Sequence, residues 1–192
     1  RCDKIAKYID IPLQHINDKV LRSMYRRVTR AQTETLLGKL RDRIPGVSIR
    51  TTFIAGFPGE TDAQFDELCE FVRDFGFDAM GVFPYSSEPG TPAHNMKDAL
   101  PADVIRGRVD ALMQIQQEVA FARAAKMKGR KFEVMIDGFG RDGVYPARHQ
   151  GQAPEVDGTV FVRGGEFVPG QFTTVECIGH EGYDLIARPV GF

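Results

Sequence analysis

The sequence predicts an α/β protein in two parts: half of a parallel βα barrel over residues 1–128, then a small five-stranded antiparallel β-barrel of the oligonucleotide-fold type over residues 129–192. Three observations lead there. Strand-like and helix-like runs alternate up to about Gly129, the pattern of βα units. After Gly129 the chain changes to short β-rich runs broken by glycines. Three βα units are also too few to close a barrel, because every strand of a parallel barrel needs a neighbour on both sides. The first part therefore reads as half of something larger.

Tyr8–Leu13 reads as the first strand, after which Asn17 caps a short helix carrying Val20, Leu21 and Met24. Thr29 with Gln32 forms a capping box ahead of Leu36, Leu37, Leu40 and Ile44, which predicts a helix over about 31–44. Pro45-Gly46 stops it. The β-rich run Val47–Ala55 ends in the turn Gly56-Phe57-Pro58-Gly59, and Thr61 with Gln64 repeats the capping box before Phe65, Leu68, Cys69, Val72 and Phe75. A third unit starts at Ala79–Pro84. Pro101 opens a long helix whose stripe Ile105, Val109, Leu112, Ile115 and Val119 continues to Lys128, a closing barrel helix that also connects the two parts. The small barrel takes its strands from Lys131–Asp137, Gly143–Arg148, Thr159–Val162, Phe172–Ile178 and Leu185–Pro189.

With 42% apolar and 27% charged residues, a net charge of −1 and no Trp, the 192 residues are those of an ordinary globular chain, which excludes a disordered or collagen-like one. No apolar run approaches a membrane span, and Arg1-Cys2-Asp3-Lys4 does not open a signal peptide, so the chain reads as cytosolic. Cys2, Cys69 and Cys177 are too far apart in sequence to suggest a disulfide framework or a zinc site. Charge is divided unevenly: residues 129–192 carry −3 and the preceding part +2.

In βα folds the chemistry gathers at the C-terminal ends of the strands. Here these are Gln14-His15, Gly56-Phe57-Pro58-Gly59-Glu60 and Tyr85-Ser86. His15 reads either as a hydrogen-bonded structural residue or as a ligand or base. The turn at Gly56 lacks the Lys and Ser/Thr of a phosphate loop. Arg50 and Thr52 alternate with Ile49, Thr51 and Phe53, so one polar set points either toward a ligand or into solvent. An arginine turned into a barrel without an anionic partner is costly, which gives a reason to expect an anionic ligand beside Arg50.

Together the segments Asp10–His15, Met24–Arg27, Arg50–Thr61, Tyr85–Thr91 and Ala153–Gly158 resemble, in order and spacing, the radical S-adenosylmethionine methylthiotransferases. The resemblance covers nearly the whole chain. Its Pro-Leu-Gln-His and Pro-Glu-Val-Asp-Gly forms favour the branch that modifies an aspartate of ribosomal protein S12 over the transfer-RNA-modifying branch, which usually carries Gln-Ser-Gly-Ser at the first of these places.

The resemblance implies an enzyme that uses S-adenosylmethionine and two 4Fe–4S clusters, one on a Cys-x-x-x-Cys-x-x-Cys loop. No such loop occurs here. The chain thus reads as a C-terminal fragment with half the radical domain and the terminal barrel, called TRAM in this family. No cofactor is expected on the fragment and no activity from it alone. Gln14, His15, Arg50, Thr52, Gly56 and Tyr85 are the expected contacts of S-adenosylmethionine or substrate. Glu155 and Asp157 of the acidic barrel are expected to meet the basic ribosomal protein, with RNA as the lesser partner. The alternatives are a fragment of a transfer-RNA methylthiotransferase and a stand-alone binding module.

Overall fold

The computed structural model describes residues 4–191, which form two compact units. Of the described residues, one unit is Ile9–Gln117 and the other gathers 118–191 with 4–8.

The first unit is a parallel sheet of three strands in the order β1 (Tyr8–Gln14), β2 (Ser48–Ala55), β3 (Ala79–Pro84). Between them run α1 (Asp18–Ser23), α2 (Arg30–Arg43) and α3 (Asp62–Phe75). Each helix starts where a side chain takes up the free N–H groups of its first turn. Asn17 Oδ1 accepts from Lys19 and Val20, and the capping boxes Thr29/Gln32 and Thr61/Gln64 both close. β2 alternates strictly: Ile49, Thr51, Phe53 and Ala55 are buried, while Arg50, Thr52 and Ile54 on the other face are half-buried. Phe53 meets Phe71 of α3 and Phe77 edge-on, with ring centroids 6.4 and 5.8 Å apart. The apolar face of the sheet therefore carries the helices, and the core of this unit lies between the two layers with Leu37, Leu68, Val72 and Leu112.

The long helix α4 (Ala102–Ala125) has 24 residues and stops short of Lys128. Its last amides bond three residues back, Lys126 to Arg123 and Met127 to Ala124, and Gly129 turns the chain at φ +80°.

The second unit is a closed barrel in the order β4-β5-β6-β8-β7, built from β4 (Lys131–Ile136), β5 (Val144–Arg148), β6 (Val160–Arg163), β7 (Phe172–Glu181) and β8 (Asp184–Pro189). It is mixed, where the sequence pattern predicts antiparallel strands throughout. β6 pairs with β8 in parallel and the other four pairs are antiparallel. The reason is parity: directions cannot alternate around a ring with an odd number of strands, so at least one neighbouring pair must run the same way. Val134, Ile136, Val160, Val162, Val175 and Leu185 fill the interior.

Gly158 stands where the barrel leaves no room for a side chain. A Cβ there would sit 2.3 Å from the Tyr183 carbonyl oxygen, a backbone atom that cannot swing aside. Gly158→Ala should cost about 3 kcal/mol and lower the barrel's midpoint by on the order of 10 °C. A calorimetric shift below about 2 °C would show that the Tyr183 backbone gives way freely.

Candidate functional site

The strand ends of the first unit bring Gln14, Gly56 and Tyr85 to one edge of the sheet, while Arg50 and Thr52 lie toward its other end, in register with Ala79 and Gly81. Gln14 closes β1 in a left-handed conformation, φ +71°, which an L side chain adopts only under strain. Tyr85 follows β3; its N–H donates to Ala55 O (2.9 Å) and its ring meets Phe57 edge-on at 5.3 Å. The Tyr85 hydroxyl is buried with no partner among the described residues. Gly56 ends β2 at φ +79°, and a Cβ on it would lie 2.5 Å from Ile105 Cγ1 of α4, so both conformation and packing demand glycine.

Arg50 and Thr52 share the sheet face opposite the helices and flank Gly81 of β3, whose Cβ position is 3.7 Å from Arg50 Nη2 and 3.9 Å from Thr52 Oγ1. Asp10 of β1 lies on the same face and accepts from Arg50 Nη1 at 2.7 Å. Arg50 thus has an anionic partner within the protein. The expectation that its charge requires an anionic ligand is corrected, and what persists is a guanidinium held at this face by a neighbouring strand.

His15 is wholly buried. Its Nδ1 accepts from the Asn17 amide at 3.0 Å, which puts the ring proton on Nε2. Nε2 lies 3.6 Å from Glu60 Oε2, too far for a hydrogen bond, and has no other partner among the described residues. Sequence reasoning missed the group that organises this place. Glu60 is fully buried; its Oε2 accepts from the amides of Gly56 (3.0 Å) and Phe57 (3.3 Å), and its Oε1 from Arg108 Nη1 of α4 (2.7 Å). Arg108 also donates to Asp62 (2.6 Å) and lies over the Phe65 ring. A signal was present: Arg108 falls at helical spacing between Ile105 and Leu112 on the apolar stripe, a place where a lone charge needs a buried counter-ion.

Among the barrel candidates, Glu155 is exposed at φ +64°. Asp157 is engaged otherwise, for its Oδ2 accepts from the Tyr8 hydroxyl and from the Ala153 amide, both at 2.8 Å, and so fastens its own loop.

The described cysteines do not suit an iron–sulfur cluster. Burial, aided by Asp66, pushes the Cys69 thiol up to about 11, and burial likewise raises that of Cys177, whose Sγ donates to Gly179 O. Low-pKa thiolates converging on one point are what a cluster needs. Among the described residues no group of three or more His, Cys, Asp or Glu could hold a metal, and Cys2 lies outside them. Nor is any helix among them long and apolar enough to cross a membrane.

S-Adenosylmethionine is a different case. Arg50 and Thr52 offer donors of the kind that suit a ligand carboxylate on one face of the sheet, and Tyr85 carries an unpartnered buried hydroxyl at the strand ends, six residues beyond the Arg50 register partner Ala79.

Comparison with known proteins gives the following. Residues 2–72 match the radical SAM superfamily and residues 129–190 the TRAM domain. A protein of Anaeromyxobacter sp. (strain K) described as "Ribosomal protein uS12 methylthiotransferase RimO" is 43% identical over 189 residues, covering 97% of this chain and 40% of its own length. A protein of the same description from Caldanaerobacter subterraneus is 45% identical over 186 residues, 96% of this chain and 42% of its own. The chain thus spans about two fifths of the length of these relatives. Among solved structures, the radical SAM enzyme coproporphyrinogen III oxidase of Escherichia coli matches with a TM-score of 0.52 at 18% identity, over 62% of this chain and 28% of that one, a likeness of fold.

Proposed function

On the premise that the chain is RimO-like over nearly all its length, with a radical SAM segment and a TRAM domain, we propose that it forms part of a cytoplasmic methylthiotransferase acting on an aspartate of ribosomal protein uS12. The observation that supports this reading is the polar sheet face, where Arg50 and Thr52 stand opposite the buried apolar face, with Tyr85 at the strand ends beyond them. Gln14, Arg50, Thr52 and Tyr85 bind and orient S-adenosylmethionine or the target carboxylate, while His15, Gly56 and Glu60 hold the turn that frames them.

When bound, S-adenosylmethionine together with a 4Fe–4S cluster supplies the radical and the methyl group. Among the described residues no group of side chains could hold a cluster, so cluster binding is not among the roles proposed for them. The work of this chain is positioning: Arg50 orients a carboxylate, Tyr85 and Phe57 wall off water, and the barrel over residues 129–192 holds the substrate protein.

The acidic barrel supports a basic protein as partner by charge complementarity. Glu155→Lys is the clean test, because Asp157 secures its own loop and its replacement would disturb the fold. The variant should bind labelled uS12 several-fold more slowly at low salt, with the difference shrinking near 0.5 M salt as screening takes over (about 4 Å Debye length). An association rate equal to the wild type at every salt concentration would remove Glu155 from the interface. Tight binding of transfer RNA by the barrel would favour the transfer-RNA branch.

A further inference from the structure

α1 ends in a Schellman motif, in which the Tyr25 amide donates to Arg22 O (3.0 Å) and the Arg26 amide to Leu21 O (2.8 Å). The left-handed position of this motif usually belongs to glycine. Here Tyr25 holds it at φ +57°. A Cβ in that conformation crowds the following carbonyl, so the residue is strained. Packing does not offset the strain, since Tyr25 is 77% exposed. A strained aromatic that contributes nothing to the core points to a use outside the fold.

Its surroundings say what that use is. From Asp18 to Arg30 the basic residues Lys19, Arg22, Arg26, Arg27 and Arg30 face a single acid, Asp18. Lys19, Arg22 and Arg27 are exposed and form no ion pair among the described residues. Arg26 Nη2 donates to Pro12 O at 3.0 Å and so ties the segment to the end of β1. Lys19, Arg22 and Arg30 line one open depression of about 530 Å³ together with Thr61, Gln64 and Glu67. The acids there are already engaged: Glu67 accepts from Arg30 (2.8 Å) and Asn17 (2.6 Å), and Asp18 from the Arg30 amide (2.7 Å). The charges of Lys19, Arg22 and Arg27 are left for a partner.

We propose that residues 19–27 are a contact for single-stranded RNA, with phosphates on Lys19, Arg22 and Arg27 and one unstacked base on the Tyr25 ring. Exposed cations beside a flat exposed ring suit the repeating charge and π-face of a nucleic-acid strand. A basic protein would be repelled, and an acidic peptide has no use for the ring. This contact lies in the first unit and does not rest on the enzymatic reading.

The test uses the whole 192-residue chain and a fluorescein-labelled uridine 12-mer, read by anisotropy at 50 and 200 mM salt. Tyr25→Gly should raise the thermal midpoint, since it relieves the strain, while weakening RNA binding by about 5- to 100-fold, the range for one lost stack. Tyr25→Phe, which keeps ring and strain, should bind like the wild type. Arg22→Gln with Arg27→Gln should flatten the slope of log K against log salt by about 1.4, roughly 0.7 per phosphate contact on a single strand. The proposal is overturned if the wild type does not bind below about 100 μM, if Tyr25→Gly binds as tightly as the wild type, if the double variant keeps the full salt slope, or if polyglutamate competes as well as unlabelled RNA.

Discussion

Replacing Glu60 by alanine is expected to cost about 4 kcal/mol, because it strips a buried cation of its partner and leaves two buried amides unsatisfied. The Glu60 side chain is fully buried and that of Arg108 is 7% exposed, so solvent screening does little to soften the loss. Arg108 would keep the residue-60 carbonyl oxygen, but its one remaining acidic partner among the described residues would be Asp62, which is itself almost wholly exposed, and the amides of Gly56 and Phe57 would lose their acceptor. Arg108→Ala should cost about 3 kcal/mol, since Glu60 then remains buried with its amides but without its cation. The double variant should cost less than the two singles added together, by about 2 kcal/mol, because neither charge is left alone. Glu60→Gln, which keeps an oxygen for the two amides, should fall between wild type and Glu60→Ala. Hydrogen exchange at the Phe53 amide reads this unit without interference from unfolding of the barrel. A loss below about 1 kcal/mol for Glu60→Ala would mean that water or a shifted His15 takes over the role.

The elements are legible in the sequence because each carries a local mark. The capping boxes at Thr29 and Thr61 lie within four residues of what they cap, and the strict alternation of β2 appears in its own sequence. What the sequence hides depends on distance along the chain. Asp10 and Arg50 are 40 residues apart and Glu60 and Arg108 are 48 apart, and no period links such pairs. Asp10 and Glu60 both stand within the motifs, yet only the folded sheet and α4 supply their partners. The barrel's parallel pair is hidden for another reason: five strands are countable, but their order around the ring, with β8 between β6 and β7, is not written in any one of them. At the site, the strand-end rule points to chemistry at the Gly56 turn. The structure shows that turn held in place by Glu60, with Phe57 and Tyr85 as the surfaces it presents.

In an enzyme that contains this chain, Arg50→Lys should lower turnover by about 10- to 100-fold while leaving the fold intact. The guanidinium carries several donors in one plane, of which Nη1 is committed to Asp10. Its Nη2 lies toward Gly81, 3.7 Å from that residue's Cβ position, the side on which the proposed reading puts the ligand carboxylate. A lysine has one nitrogen on a flexible stem and must choose between Asp10 and a ligand carboxylate. Losing one charge-assisted hydrogen bond of about 1.5–3 kcal/mol gives the stated range. Stability should change little, because an ammonium at this position still attracts Asp10, and the Arg50 side chain is 19% exposed, which places the pair near solvent. Asp10→Asn separates the two roles Arg50 could play. If Arg50 serves only the sheet, removing the charge of Asp10 should hurt stability and turnover together. If Arg50 holds a ligand, Asp10→Asn should free the fork for it, leaving turnover within a few-fold of the wild type while Arg50→Lys stays impaired. Steady-state rates for both variants, set beside their thermal midpoints, decide the matter, and an Arg50→Lys enzyme with turnover within about twofold of the wild type would return Arg50 to the sheet alone.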